Sequence, residues 1–382
     1  MIYIVTPGGT REKGGMGRIV DNFTTDLREN RPDVRFEVVD SYGPGKFHLM
    51  PFYFLLAVLR LAFCFLAGRG NLVHVHMAEH GSVVRKGIIV LLAALFRVPV
   101  VLHLHGGRFP DQVRNAGPLT RWALRRMVAL CSETVVLGDF WRRFMIEEFA
   151  SEARRVTVLH NAVPGPQATP LRPAERPVRI LFLGRLIRLK GIHVLLDALA
   201  AQECRSRTWE LVIAGDGDLD TYRRQVETLG LADRVTFTGW LDQDGCRRQL
   251  LQADVLVQPS MFEGLPMAVL EAMAHGLTIV ATPVGSVGDA IEHESTGLLV
   301  PPGEVQPLSD ALVRVLDDAD LRRRLGAGAR RKFETCFDIT VYRERLLDIY
   351  RRNARHWRVE PAIVPTAAPD EASIGARGAR SG

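Results

Sequence analysis

The sequence predicts an α/β protein made of two Rossmann-like, doubly wound domains with a cleft between them. Short apolar runs alternate with helical stretches over residues 1–165, a proline-rich segment interrupts this pattern, and the alternation then restarts. Strands that alternate with helices indicate βαβ units and parallel sheets. A length of 382 residues also fits two domains better than one.

The predicted segments follow from where this pattern stops and restarts. The sequence between residues 161 and 177 has no apolar period and contains five prolines, which is typical of a linker. We expect a first domain at 1–165, a linker at 166–177, a second domain at 178–340, a helix at 341–357 that packs back on the first domain, and a disordered tail at 358–382.

The charge of the chain is concentrated in its first domain. The formal net charge is +6, and residues 1–165 hold 21 Lys and Arg against 14 Asp and Glu. A basic domain can meet nucleic acid, an anionic membrane surface or an anionic substrate. The five cysteines are scattered and never form a CxxC pair, which argues against a disulfide framework or a zinc site and for a reducing compartment.

One apolar stretch, Phe47 to Gly68, is long enough to span a bilayer. Arg60 lies near its middle, and a central arginine costs about 2.5–3.5 kcal/mol on insertion scales. The chain opens directly on a short apolar strand, "MIYIV", so we expect no signal peptide.

Ligands of open parallel sheets bind beyond the carboxyl ends of the strands, so the residues that follow each strand are the informative ones. After the first strand come Gly14, Gly15 and Gly17, whose missing side chains let backbone N–H groups approach a ligand. The spacing is not GxGxxG, and a plain flexible turn explains the glycines equally well.

Histidines cluster in two neighbouring strands of the first domain. They are His74, His76, His80, His103 and His105. A metal site is one interpretation, but neither an acidic nor a cysteine pattern accompanies the histidines, so we expect no metal. His105 ends its strand before two glycines and is the candidate to touch a substrate, whereas His74 and His103 are expected to be packed and hydrogen-bonded.

Strand ends in the second domain carry cations, an acid and glycines. Gly184, Arg185 and Lys190 follow one strand and precede a helix, which predicts an anion clamp rather than two solvated cations. Asp216 and Gly217 form the next glycine turn. Trp240 and Leu241 follow a third strand end.

Two acids lie in the segment "SMFEGLPMAVLEAMAHG". Glu263 precedes a Gly-Leu-Pro turn, and Glu271 lies inside the helix that Pro266 opens. Paired carboxylates suggest glycoside hydrolysis, but such pairs normally converge from separate strands. A different ligand explains the two acids better. Phosphates would lie at the helix N-terminus, Glu271 would accept hydrogen bonds from a ribose diol, and Glu263 would contact the group beyond the phosphates. These three parts describe a nucleotide-diphosphate sugar.

At these residues the sequence resembles the family 4 (group 1) retaining glycosyltransferases of the GT-B fold. The resemblance rests on "GRLIRLKG", "AGDGD", "FTGW", "PSMFEGLPMAVLEAMAHGLTIVATPVG" and "STGLLVPPGE" in this order, and it covers about Tyr3 to Tyr350. The linker departs from the family pattern, with "LHNAVPG" in place of "PNGVD", and "GDGD" stands in place of "GDGP".

The resemblance implies a role for each matching position. It implies a catalytic group of His105, Arg185, Lys190 and Glu263. It implies donor-binding residues Gly14, Gly15, Gly184, Asp216, Gly217, Trp240, Leu241, Gly264, Leu265, Pro266, Met267, Ala268 and Glu271. It also implies a UDP-, GDP- or ADP-sugar donor, a saccharide acceptor on the first-domain side, and neither cofactor nor metal.

The apolar stretch at Phe52–Ala67 predicts contact with a membrane. A helix on a sheet buries one face, and this one is apolar nearly all round, so a second face needs a partner. We expect a monotopic contact with the inner face of the plasma membrane from a cytoplasmic protein, with internal packing, dimer formation or a true span as alternatives. Basic residues expected to face anionic lipid are Arg121, Arg125, Arg126, Arg142, Arg143, Arg154 and Arg155.

The implied acceptor is therefore a lipid-linked saccharide in polysaccharide or glycolipid synthesis, with no nucleic acid as partner. Three other functions are considered. A sugar-nucleotide epimerase of the same fold would need more convergent carboxylates in the first domain, where only Glu79 and Asp111 lie near strand ends. A dinucleotide oxidoreductase would need GxGxxG. A non-catalytic membrane-bound scaffold would have no reason to combine Arg185, Lys190, Glu263 and Glu271.

Overall fold

A computed structural model of the protein describes residues 1–7, 15–43, 47–79, 81–107, 109–169 and 176–357. Within these ranges the chain forms two six-stranded parallel sheets, one from each half of the sequence. Part of the predicted linker and the whole of the predicted tail lie outside the described residues.

The first sheet has the spatial order β2-β1-β3-β4-β5-β6. All strands are parallel, and the order in which they are added along the sheet reverses between β1 and β3. Its strands are β1 Ile2–Thr6, β2 Phe36–Asp40, β3 Leu72–Met77, β4 Val100–Leu104, β5 Glu133–Val136 and β6 Val156–Val158. Helices cover both faces of a doubly wound sheet, which is why every side chain of β3, including two histidines, is buried.

Helices α2, α3, α5 and α6 lie on one face of this sheet, and α1 lies on the other. The helices of the first half are α1 Gly15–Asn30, α2 Met50–Leu66, α3 Gly81–Leu95, α4 Phe109–Arg114, α5 Pro118–Ala129 and α6 Asp139–Phe149. Helix α3 packs between α2 and α5. No helix within the described residues has both the length and the apolar composition that crossing a bilayer requires.

The second sheet has the spatial order β12-β11-β10-β7-β8-β9, and the order in which its strands are added reverses between β7 and β10. Its strands are β7 Val178–Leu183, β8 Trp209–Ala214, β9 Val235–Gly239, β10 Val255–Gln258, β11 Thr278–Ala281 and β12 Leu298–Leu299. Its helices are α7 Ile192–Ala200, α8 Gln202–Arg205, α9 Leu219–Thr228, α10 Gln243–Gln252, α11 Met267–Ala274, α12 Val287–Ala290, α13 Val305–Asp317 and α14 Ala319–Cys336.

The last helix, α15 Ile339–Asn353, returns to the first sheet and packs on α1 and β4. The predicted bounds of 341–357 are wrong at both ends. The carboxylate of Asp338 caps the helix by accepting the Thr340 N–H at 2.8 Å, and the extended Ala354 ends it. Beyond it, the Arg355 N–H bonds to the Asn71 carbonyl at the end of the first sheet.

The chain therefore crosses between the two halves twice, at residues 161–177 and again before α15. The two crossings touch: the Val163 N–H donates to the Phe337 carbonyl, and the Ile339 N–H donates to the Val163 carbonyl, each at 3.1 Å. Tyr342 packs edge-on against Phe23 of α1 with ring centroids 5.5 Å apart. The final helix thus completes the core of the half of the chain that is made first.

Candidate functional site

A cleft of about 840 Å³ lies between the carboxyl edges of the two sheets, where both strand orders reverse. The predicted residues that line it are Gly15, His105, Gly184, Arg185, Lys190, Asp216, Trp240, Leu241, Glu263, Gly264, Leu265, Pro266, Met267, Ala268 and Glu271. Predicted site residue Gly14 lies outside the described residues.

Gly217 is placed differently from the prediction, because it is not among the residues that line the cleft. Its φ is +129°, and a Cβ there would lie 2.5 Å from the Leu186 carbonyl oxygen. The residue forms an isolated bridge with Leu186. Close backbone packing in the loop after β8 therefore requires glycine at this position.

Lys190 and Glu263 meet because two loops after neighbouring strands pack closely. Gly191, with φ of +72°, turns the chain between Lys190 and α7. A Cβ at Gly191 would lie 1.9 Å from the Pro259 carbonyl oxygen in the loop after β10. Only glycine tolerates both that conformation and that contact, and the result is an ion pair of 2.5 Å between Lys190 Nζ and Glu263 Oε1.

Glu263 is buried, and its carboxylate is held by three donors. Besides Lys190, Ser260 Oγ donates to Oε1 at 2.8 Å, and Gln258 Nε2 donates to the same oxygen at 3.1 Å. Every hydrogen bond that the described residues give to this side chain ends on Oε1. The second oxygen, Oε2, can therefore accept a hydrogen bond from a ligand while the carboxylate stays oriented.

Arg185 follows β7 and is 72% exposed, and its Nε lies 3.8 Å from Asp216 Oδ1. The two cations of the predicted clamp thus each have an acidic neighbour in the protein, Asp216 for Arg185 and Glu263 for Lys190. An anionic ligand at this position must compete with these carboxylates, so its affinity depends on more than the two positive charges.

The N-terminus of α11 faces the same part of the cleft. Pro266 precedes the helix, and no side chain of the described residues caps it. The N–H groups of its first turn, including those of Met267 and Ala268, have no intrahelical acceptor, and both residues line the cleft. Unpaired donors at a positive dipole end favour an anion.

Glu271 forms an ion pair across the cleft that the sequence reasoning missed. Its Oε1 accepts from Arg18 Nη2 in α1, a residue 253 positions away and in the other half of the protein. Glu271 is only 7% exposed. Burial raises the pKa of its carboxyl group, and the charge of Arg18 opposes that rise. Arg18 was not among the predicted site residues, and the local pattern of α1 does not mark it as a partner of Glu271.

His105 reaches the cleft from the end of β4, and burial lowers its pKa to about 3. The imidazole is therefore neutral at physiological pH, with one N–H and one bare nitrogen. Its Nε2 lies 2.8 Å from Nδ1 of His76.

Two more histidines lie directly beneath this pair. Nε2 of His74 lies 3.3 Å from Nδ1 of His103, and the Tyr350 hydroxyl of α15 lies 2.7 Å from Nδ1 of His74. His74, His76 and His103 offer nitrogens within 4.8 Å of one another, a spacing that a metal ion could bridge after adjustment. Both nitrogens of His74 already have partners, so the geometry favours a hydrogen-bonded cluster over a metal site.

Sequence comparisons match the two halves of the chain separately. The family model for glycosyl transferases group 1 matches residues 167–332, and the model for a glycosyl transferase 4-like domain matches residues 3–162. An alpha-D-kanosaminyltransferase of Streptomyces kanamyceticus is 30% identical over 304 residues, which are 74% of this chain and 77% of that protein.

Two further proteins extend the likeness. A GDP-mannose-dependent alpha-(1-6)-phosphatidylinositol monomannoside mannosyltransferase of Mycobacterium tuberculosis is 30% identical over 235 residues, covering 56% of this chain and 60% of its own. The crystal structure of Anabaena Alr3699/HepE in complex with UDP shares the fold, with a TM-score of 0.70 at 19% identity, covering 92% of this chain and 99% of that one. The chain belongs to the group 1 glycosyltransferases of the GT-B fold.

Proposed function

We propose that this protein transfers a sugar, with retention of anomeric configuration and without a metal ion, from a nucleotide-diphosphate sugar to a lipid-linked saccharide. The observation that carries the proposal is the convergence of Arg185, Lys190 and the uncapped start of α11 at the point where the second sheet reverses. Three sources of positive potential in one corner of a cleft suit a diphosphate.

The donor-binding part of the proposal divides the cleft along α11. The diphosphate lies against the N–H groups of Met267 and Ala268, and Arg185 and Lys190 stabilise the charge that develops on the leaving nucleotide. Glu271, about 6 Å further along the helix than Met267 by helix rise, accepts hydrogen bonds from the ribose diol. The base lies near Trp240, whose indole is half exposed at the cleft wall.

The transferred sugar lies against Glu263 and His105, which both line the cleft. The three donors that fix Glu263 Oε1 make this carboxylate an orienting acceptor for sugar hydroxyls rather than a mobile nucleophile. Two of the similar proteins are named with different nucleotides: the mycobacterial enzyme is GDP-mannose-dependent, and the Anabaena protein was crystallised with UDP. The proposed donor is a UDP-, GDP- or ADP-sugar.

Exposed apolar side chains support the lipid-linked acceptor. They lie on the neighbouring helices α2, α3 and α5, and we call them the belt: Phe52, Leu55, Leu56, Leu59, Phe63, Leu66, Val84, Ile88, Leu91, Leu95, Leu119 and Trp122. Arg60 of α2 is paired with Glu37 of β2 at 3.0 Å. Twelve exposed apolar side chains on three neighbouring helices suit the acyl region of a bilayer.

The arginines expected to face anionic lipid divide into those that have a partner in the protein and those that do not among the described residues. Arg154 and Arg155 are both within ion-pair distance of Glu152, and Arg121 donates to the Val113 and Ala116 carbonyls. These three side chains already have partners within the protein. Arg125 also donates to a backbone carbonyl, that of Glu148, at 3.0 Å, so the remaining candidates for anionic lipid are Arg126, Arg142 and Arg143. The proposed location is the cytoplasmic face of the plasma membrane.

A thermal-shift panel of UDP-, GDP- and ADP-sugars tests the donor assignment. A donor present at about 100 times its Kd stabilises the native state by about 2.7 kcal/mol, so one base should raise Tm clearly. Glu271→Ala and Lys190→Ala should each abolish most of the shift, while Arg248→Gln, an exposed change on α10, should keep it. A shift that survives both cleft substitutions would refute the assignment, and an inverted anomer in the product would refute retention.

Liposome flotation tests the membrane contact separately. Leu56→Lys with Phe63→Lys places two charges in the belt and should abolish flotation with anionic vesicles. Leu251→Lys, an exposed position of α10 in the second half of the chain, is the control and should float like the unmodified protein. Flotation that is unchanged by the two belt charges contradicts the contact.

A further inference from the structure

Four imidazole rings form a two-layer stack on the face of the first sheet that α15 covers. His74 and His103 form the inner layer, and His76 and His105 form the layer at the cleft, each pair joined edge to edge by a hydrogen bond. Ring centroids lie 4.2 Å apart between His74 and His76 and 4.1 Å apart between His103 and His105. The strand period of two explains the order, because alternate residues of β3 and β4 share a face.

The cleft layer is asymmetric. His76 is only 2% exposed, and its Nε2 has no hydrogen-bond partner among the described residues. His105 borders the cleft, and its Nε2 is the atom that meets His76 Nδ1. Desolvation, the neighbouring histidines and the charge of the buried Lys86 all hold the pKa of His76 well below its ordinary value, so both rings are neutral.

Two arrangements of protons satisfy the hydrogen bond between neutral rings. If His105 donates from Nε2, the proton of His76 must sit on Nε2, which leaves a buried N–H with no acceptor. If His76 donates from Nδ1, its Nε2 is a bare nitrogen and no buried N–H is orphaned. Orphaned buried N–H groups are the rarer and costlier defect, so the second arrangement is favoured.

We propose that His76 is a positioning residue, which donates its Nδ1–H to Nε2 of His105 and thereby fixes His105 as the tautomer that presents Nδ1–H to the cleft. The ligand atom that meets His105 is then a hydrogen-bond acceptor, a hydroxyl or phosphate oxygen. That last step rests on the proposed function of the cleft; the tautomer itself does not.

The first test is NMR of the full-length protein labelled with ¹⁵N-histidine, using His105→Asn to assign the His105 signals. Two-bond ¹H–¹⁵N correlations distinguish a protonated ring nitrogen from a bare one. We expect a single His105 tautomer with the proton on Nδ1. A proton on Nε2, or a mixture of both tautomers, overturns the proposal whether or not the protein transfers a sugar.

The second test compares two substitutions at the buried position. The amide of His76→Asn can place an N–H near the original Nδ1, whereas His76→Leu cannot donate. We expect His76→Asn to keep the His105 tautomer and a kcat within about threefold of the unmodified protein, and His76→Leu to mix the tautomers and lower kcat about tenfold. Equal kinetics and equal His105 spectra for the two variants would contradict the role of His76. If no nucleotide sugar is turned over, the spectra alone decide.

Discussion

Replacing Arg18 with Gln should make the stability of this protein depend on pH in a way that reports on Glu271. The change removes the cation that faces a nearly buried carboxylate across the cleft. Breaking a fully buried pair costs about 3–5 kcal/mol, whereas an exposed pair is worth about 0–1 kcal/mol. Because the side chain of Arg18 is 32% exposed, we expect a loss between these limits, about 1–2 kcal/mol at neutral pH.

The sign of the pH dependence follows from the direction of the pKa shift. Burial raises the pKa of Glu271 in the native state, and the loss of Arg18 raises it further. Below the unfolded value of about 4.3 the carboxyl is protonated in both states, and the variant should match the unmodified protein. As the pH rises through the raised native pKa, the variant must either ionise an unpaired buried group or hold its proton, so the deficit grows.

Calorimetry of the ligand-free protein across this pH range measures the effect, with an expected Tm difference of about 2–6 °C at neutral pH. Adding Glu271→Gln to the variant should recover most of the loss, since the buried charge is then absent. Arg248→Gln serves as a control for the loss of one exposed arginine. A deficit of the same size at acid and neutral pH, or one that Glu271→Gln does not relieve, would show that the reasoning is wrong.

Three further predictions concern the scaffold. Gly191→Ala should destabilise the protein by about 1–3 kcal/mol more than Gly68→Ala, because both have a left-handed φ but only the first has a carbonyl against its Cβ position; thermal unfolding measures the difference. Arg352→Ala removes a donor at 2.9 Å from the buried Glu133 and should cost about 1–3 kcal/mol in denaturant unfolding. Histidines with lowered pKa values should make stability fall as the pH drops below about 6.5, by up to about 1.4 kcal/mol per pH unit for each, and His103→Asn should reduce that slope.

Each of these has an outcome that contradicts it. Equal losses for the two glycine variants would mean that backbone strain alone matters at both sites. Arg351→Ala changes the exposed neighbouring arginine, and an equal loss there would remove any special role for the Glu133 contact. An unchanged acid slope for His103→Asn would mean that this histidine is not held neutral by its surroundings.

The sequence predicted which residues lie at the cleft better than which of them touch. Strand ends were recognisable, and parallel sheets collect their strand ends at one edge, so Lys190, Glu263 and Glu271 were found without knowledge of any contact. The partners of these side chains depend on the register of the strands and on the rotation of the helices, and the local sequence pattern determines neither. The pair between Arg18 and Glu271 needs the two halves to be placed against each other, and single-sequence periodicity carries no information on that.

Two other differences have the same origin. Gly217 follows a strand like the other site glycines, but its backbone packs on Leu186. A glycine needed for backbone packing and a glycine needed for the approach of a ligand look alike in the sequence, and the path of the loop distinguishes them. The alternation of His74 and His76 was visible in the sequence, whereas their layering over His103 and His105 depends on how β3 and β4 are aligned.

The position of α15 has a consequence for synthesis. The first sheet is fully translated at Val158, but the rings that cover one of its faces, including the buried Tyr350, come from the end of the chain. About 190 further residues must be made before that face is closed, which takes about 10–40 s at 5–20 residues per second. During that time the apolar and histidine-bearing face of the sheet has, of the described helices, only α1 to cover it. The half of the protein that is translated first is therefore the half that finishes folding last.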